Sequence, residues 1–186
     1  MTTLAPSEPK LQFGPTTADR LFFLFLAAVL ACVVWVGRLS YNEGLKNEVA
    51  KENAQAWVSW FAQAASLRRQ DGYQPAACAA VPATQDKPTT WGECLTFLTG
   101  TNGALAAQRN PFTGQVPALV SKCDSSNRAL AGALVLEKLT PTASGSSVTV
   151  FATPLVASDR IDQKLQIRVT YCDQGAYPGR PAETEF

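Results

Sequence analysis

The chain reads as an α+β protein: a long N-terminal helix, membrane-embedded in its first half and amphipathic in its second, packed on a small antiparallel β-sheet and stabilised by disulfides. Three observations predict this. Leu21 to Gly37 is an uncharged, strongly apolar run of 17 residues. The more polar segment behind it keeps a helical spacing of apolar residues. The last third of the chain holds alternating apolar and polar stretches, and the part beyond the apolar run carries four widely spaced cysteines.

The run "LFFLFLAAVLACVVWVG" would be about 25 Å long as a helix at ~1.5 Å per residue, a little short of a ~30 Å hydrocarbon layer. Continuation to Leu39 and Tyr41, with Arg20 and Arg38 reaching to the interfaces, supplies the missing length. A buried core helix is the soluble alternative, but such a helix is rarely apolar on all faces as this one is. A cleaved signal peptide is one rival, with Lys10 and Arg20 as its basic region and Ala27, Ala28 and Ala31 as small residues. The apolar run continues past them through "CVVWV", which favours retention. A lipidation motif at "VLAC" is the other rival and would modify Cys32, but Leu30 stands where a small residue is expected. Otherwise Cys32 is a small apolar residue inside the bilayer.

Beyond the run, Leu45, Val49, Ala56, Trp57, Trp60, Phe61, Ala64 and Leu67 recur mostly at spacings of three and four. Lys46, Glu48, Lys51, Gln55, Ser59 and Gln63 fall on the other side. No proline lies between Leu21 and Arg69, so one continuous helix is expected, with Gly37 and Gly44 as its weak points. Trp57, Trp60 and Phe61 are expected to clamp that helix onto a sheet.

The sheet is expected from "KLQIRVTY", where Leu165, Ile167, Val169 and Tyr171 alternate with Lys164, Gln166, Arg168 and Thr170. "SSVTVFA" alternates Val148 and Val150 with Ser147 and Thr149. "GALVLEKL" would be a third strand, and "TPTASGSS" the hairpin connection after it. The three are expected to form an antiparallel meander. Upstream, Thr90 and Glu93 in "TWGE" can form a capping box for a short helix that ends at Gly100. The organisation expected is a cytoplasmic leader over 1–20, a transmembrane helix over 21–37, an amphipathic continuation over 38–70 and a globular head over 71–186.

Apart from Cys32, the cysteines are Cys78, Cys94, Cys123 and Cys172. None forms a C-x-x-C pair, which argues against a zinc ribbon or a thioredoxin-like site. An even, widely spaced set reads as two disulfides in an oxidising compartment, placing the head outside the cytoplasm. Of three connectivities, the local one pairs Cys78 with Cys94 and Cys123 with Cys172. Basic residues flank the span on both sides (Lys10 and Arg20 against Arg38, Lys46 and Lys51) and do not by themselves orient it.

The net charge of +1 offers no electrostatic footprint for nucleic acid. Histidine is absent, which removes Ser-His-Asp and Cys-His catalysis and every His-containing metal site. Asp159 and Asp162 in "SDRIDQK" are the one tempting acidic pair, and they read as a polar turn before a strand. "DSSN" at Asp124–Asn127 hints at a calcium loop but lacks enough oxygen ligands and a glycine pivot. No catalytic, cofactor-binding or metal-binding residue is assigned, and no enzymatic activity is expected.

The layout of leader, apolar helix running into an amphipathic one, loop region, strands and late disulfide resembles a type IV pilin or pseudopilin. "NPFTG", Asn110 to Gly114, is similar to turns that precede the sheet in pilin heads. The resemblance implies a single-pass bacterial inner-membrane protein whose head lies in the periplasm or in an extracellular filament. It implies other pilin-like subunits as partners, with the apolar half-helix packing in a filament core. A leader peptidase cut would fall after Gly14, and Asp19 takes the fifth place beyond it, where the family has a glutamate that pairs with a neighbouring N-terminus. The chain departs from the family in having Pro15 after Gly14 and in placing Asp19 before the apolar run. Asp19 also reads as an ordinary acid at a helix N-terminus. A bitopic component of a secretion or division complex and an anchored lipoprotein stay open as alternatives.

Overall fold

A computed structural model describes residues 16–80, 88–144 and 147–186, without the side chains of 143, 144, 147 and 148. Lys10, Gly14 and Pro15, and with them the expected cut and the leader up to residue 15, lie outside the described residues. Helix α1 spans Thr17–Leu67, 51 residues. The chain divides into two compact units, Met1–Asn42 and Glu43–Phe186, so α1 contributes to both.

In the first unit, a reciprocal cap starts the helix. The Asp19 carboxylate accepts the Thr16 backbone N–H at 2.8 Å, and the Thr16 hydroxyl accepts the Asp19 N–H at 3.3 Å. This is a capping box, which satisfies two backbone donors at a helix start. Every side chain from Thr16 to Asn42 is exposed, and the helix is long and apolar enough to cross a membrane. Gly37 and Gly44 are both helical.

In the second unit, α1 buries Ala50, Asn53, Ala54, Trp57, Phe61 and Ala64, with Arg68 just past its end. The spacing of three and four defines one stripe. The expected stripe is therefore corrected at its margins. Leu45, Val49, Ala56 and Leu67 are exposed, while small alanines and two polar residues take the inner face. Alanine lets the helix backbone approach the head closely, and the polar residues are held by specific bonds described below.

Helix α2 covers Trp91–Thr99, between Thr90 as N-cap and Gly100 as C-cap. Its expected capping box is not made by Thr90, whose side chain forms no cap bond. Backbone carbonyls do that work instead: Asp159 C=O accepts from Trp91 N–H at 2.8 Å and Ala157 C=O accepts from Gly92 N–H at 2.9 Å.

The sheet contains β1 (Leu119–Val120), β2 (Leu134–Ser144), β3 (Ser147–Pro154), β4 (Gln166–Tyr171) and β5 (Ala182–Glu185). It runs β1-β2-β4-β5, with β3 pairing β2 on the same side as β1; β1 is parallel to β2 and the other pairs are antiparallel. The expected meander is thus overturned, because β2 is central and β4 returns to its far edge. The physical reason is the connection after β3, which is pinned across the start of α2 by the two bonds just given and by Ile161 N–H to Thr89 C=O at 3.0 Å. That detour carries the chain to the other side of β2. "TPTASGSS" is mostly strand as well, and the register runs from Glu137↔Pro154 to Ser144↔Ser147.

β4 alternates as the sequence implies and β2 follows the same period, with Leu134, Leu136, Ile167 and Val169 facing α1 and the main core. Ala133, Val135 and Cys172 line a smaller cluster on the opposite face with Val120, Cys123 and Leu130. Gly132, two residues before β2, has φ +73°, and its N–H donates to Cys172 C=O while Cys172 N–H donates to Ala133 C=O, both at 2.8 Å. Two residues opposite one, with a left-handed glycine first, make a G1 bulge. A Cβ on Gly132 would also collide with the Asn110 side-chain amide. Gly132→Ala should therefore lose at least ~1 kcal/mol from backbone conformation alone, and more through the clash. Equilibrium denaturation checks this, and an unchanged midpoint would contradict it.

Candidate functional site

Two surfaces stand out, one in each unit. The first is the helix surface from Leu21 to Tyr41. Its large apolar side chains are exposed without a polar face, from Leu21 at 64% and Phe25 at 68% to Trp35 at 70% and Tyr41 at 67%. Free Cys32 is part of this surface. Such an array on an exposed helix is the pattern of a membrane anchor or a signal segment. At its N-terminal end, Thr16 holds the Asp19 carboxyl below its ordinary range through hydrogen bonds to it. Both bonds reach Oδ2, at 2.8 and 2.7 Å.

The second surface is the junction of α1 with the head. Phe61 is fully buried at the centre of an aromatic cluster, with ring centroids 6.0 Å from Trp57, 5.3 Å from Trp60, 5.7 Å from Trp91 and 4.9 Å from Phe186. Trp57 is buried too, whereas Trp60 is only partly covered and touches Phe186 at 5.4 Å. Trp91 and Phe186 were not legible as members of this cluster, since one opens a short helix and the other follows an acidic strand.

Polar stitches register the helix along the head. Asn53 Nδ2 donates to Arg109 C=O at 2.9 Å, and Gln108 Nε2 donates to Asn53 C=O at 3.2 Å. Trp57 Nε1 donates to Gln108 Oε1 at 2.8 Å, and Gln174 N–H donates to Asn47 Oδ1 at 2.9 Å. Buried polar groups that are matched in this way resist sliding, because a shift by one turn would leave them unpaired. Arg68 ends the row. Its guanidinium lies 3.9 Å from the Phe186 ring centroid and donates to Gln163 C=O at 2.7 Å. Burial pushes it down to about 10, so it stays a cation at neutral pH. Its Nε and Nη1 have no hydrogen-bond partner among the described residues.

The "NPFTG" segment packs beside the Gly132 bulge, with Lys46 Nζ of α1 5.9 Å from the Phe112 ring centroid. Asn110 Nδ2 donates to Ala131 C=O at 2.8 Å, and Asn110 Oδ1 accepts from Phe112 N–H at 2.9 Å. Gly114 N–H donates to Asn110 C=O at 2.7 Å, closing the turn. Asn110 is thereby the peg that fills the space above Gly132. The cysteines pair as Cys78–Cys94 and Cys123–Cys172. The first ties a 3₁₀ turn at Ala76–Cys78 to α2, and the second ties the loop after β1 to the bulge end of β4.

The acidic pair near β4 does not converge. Asp159 pairs with Lys138 and accepts from Val156 N–H, while Asp162 pairs with Arg160, which lowers its pKa. Asp124 folds back on Ser126, accepting from its N–H at 2.9 Å and from its hydroxyl at 2.7 Å. Among the described residues, no group of three or more His, Cys, Asp or Glu could hold a metal ion.

The arrangement is pilin-like in architecture: a hydrophobic N-terminal helix packed, through its second half, against a C-terminal sheet. No family model, curated protein or solved structure matches the chain.

Proposed function

We propose that this chain is a membrane-anchored structural subunit of the pilin type, with no catalytic role. Leu21 to Val36 spans the bacterial inner membrane once and the disulfide-bonded head lies outside the cytoplasm. In assembly the same apolar half-helix leaves lipid for a bundle of like helices, homomeric or with other pilin-like subunits. The observation that carries this reading is the division of labour along α1. One half is apolar and exposed on every side, and the other is locked by Trp57 and Phe61 into a folded head. Lipid and apolar helices are the two environments that suit the first half.

Asp19 fits the reading in a specific way. Both of its observed bonds use Oδ2, so Oδ1 can receive the N-terminal amine of a neighbouring subunit after a cut at Gly14. Pro15 works against that cut, and this favours the second reading, an uncut bitopic component of a secretion or division complex. Mass spectrometry of the mature N-terminus from native membranes separates the two. A start at Pro15 supports the filament subunit, an intact leader supports the bitopic component, and a lipid on Cys32 overturns both.

The helix also makes a stability-independent prediction. Ala28→Asp should leave the head folded but block membrane insertion or subunit association, since a charge at mid-bilayer costs at least ~2.5 kcal/mol. Membrane fractionation with co-purification of a differently tagged copy measures it. Undiminished association would count against the helix as the assembly element.

A further inference from the structure

Strand β3 is an edge: β2 pairs with it on one side, and no described strand lies on the other. Leu155 N–H donates to Leu136 C=O at 2.9 Å, which sets the alternation along the hairpin. Thr153, Phe151 and Thr149 turn their backbone groups toward β2, while Ala152, Val150 and Val148 turn theirs outward. The same alternation explains Pro141 in β2. Its missing N–H would face the β4 side, where pairing has already stopped at Leu139↔Gln166. The hairpin therefore projects past β4 as a two-stranded ribbon.

Exposed edges of this kind are normally guarded by charges, prolines or bulges. Leu139 to Ser158 holds no charged residue at all, in a chain that is 17% charged. On β3 itself only Pro154 lacks an N–H, and it stands at the strand's end. Val150 and Phe151 are 50% and 55% exposed. An unguarded edge with apolar side chains beside it is a template for another strand.

We propose that β3 is a homotypic pairing surface, on which a second copy of this chain docks its own β3, antiparallel, about a twofold axis at Val150. In that register Val150 faces Val150 and Val148 faces Ala152, so each outward residue exchanges both backbone bonds. Phe151 faces Thr149, an aromatic and β-branched pair of the kind that stabilises sheets. Pro154 falls outside the ladder. The second copy is the occupant that neutrality selects: an identical uncharged strand brings no like charges together, and the register satisfies every free group from Val148 to Ala152 without another sequence. The pair uses head residues alone and closes on itself, unlike the open-ended contact a filament needs. It does not rest on the filament reading.

The test uses the full chain in its membrane, with Cys32→Ser to remove the free thiol. Val150→Cys should form a disulfide-linked homodimer on mild oxidation, at least about tenfold more than Thr101→Cys on an exposed loop, because residues paired in this way lie ~5.5 Å apart at Cα, within disulfide reach. Val150→Lys, at an exposed position that leaves the head folded by circular dichroism, should lower chemical crosslinking between copies about tenfold. Equal yields for the two cysteine variants would overturn the proposal. So would a Val150→Lys variant that crosslinks as well as the parent, or a Val150→Cys variant that links only to a different protein.

Discussion

Phe61→Ala is expected to destabilise the head by ~3–5 kcal/mol, enough to unfold most of a marginally stable domain. Phe61 is fully buried and touches four aromatic rings, from α1, α2 and the C-terminal end of the described chain. Removing its ring leaves a cavity, and two of the neighbours that line it are held by hydrogen bonds. Trp57 is fixed by Gln108, and Phe186 is fixed by Leu165 through paired backbone bonds of 2.7 and 2.8 Å. Trp60→Ala should cost less, because that ring is only partly covered. Denaturant unfolding of the full chain in mild detergent, followed by tryptophan emission, measures both. A loss under ~1 kcal/mol for Phe61→Ala would remove the cluster from its role as the clamp.

That clamp was legible as three residues in a helical row, and the helix around it as an uninterrupted run without proline. What the row concealed was its polar members. Asn53 and Arg68 carry no apolar signal, and only the fold supplies the Arg109 and Gln163 carbonyls to which they donate. Leu45 and Val49 carry the opposite error: apolar side chains at helical spacing, left outside because the buried row begins at Ala50. In the sheet, period-two alternation placed the residues of β4 on their correct faces. It could not reveal strand order, because pairing of β4 with β2 rather than β3 depends on where the connection at Ala157 and Asp159 is anchored. β5, "AETE", pairs through its backbone along β4 and has no apolar pattern of its own.

Replacing Cys123 and Cys172 together by serine should cost ~4 kcal/mol, against ~3 kcal/mol for Cys78 and Cys94, because the closed loops differ in length. The separations are 49 and 16 residues. The longer bridge also bears on packing, since Cys172 is buried in the cluster of Ala133 and Val135 and its backbone closes the Gly132 bulge. The double serine variants, compared by denaturation midpoint at equal slope, test the ranking. If the short bridge proved the costlier, local packing at α2 rather than loop closure would dominate. The pairing was legible only as the nearest-neighbour choice among three, whereas the burial of both bridges against the sheet and α2 was not.

Both covalent links lie off the helix, and this gives the molecule a direction of mechanical weakness. Cys78–Cys94 and Cys123–Cys172 join loop, α2 and strand, while α1 is attached to them laterally by non-covalent contacts, chiefly Phe61 and its neighbours and the Asn47, Asn53 and Trp57 hydrogen bonds. A pull along α1 loads those contacts together in shear, whereas a pull across its axis opens them one at a time. The head is therefore built to withstand axial tension on its stem and to yield, with its disulfide-bonded parts still joined, when the stem is peeled sideways.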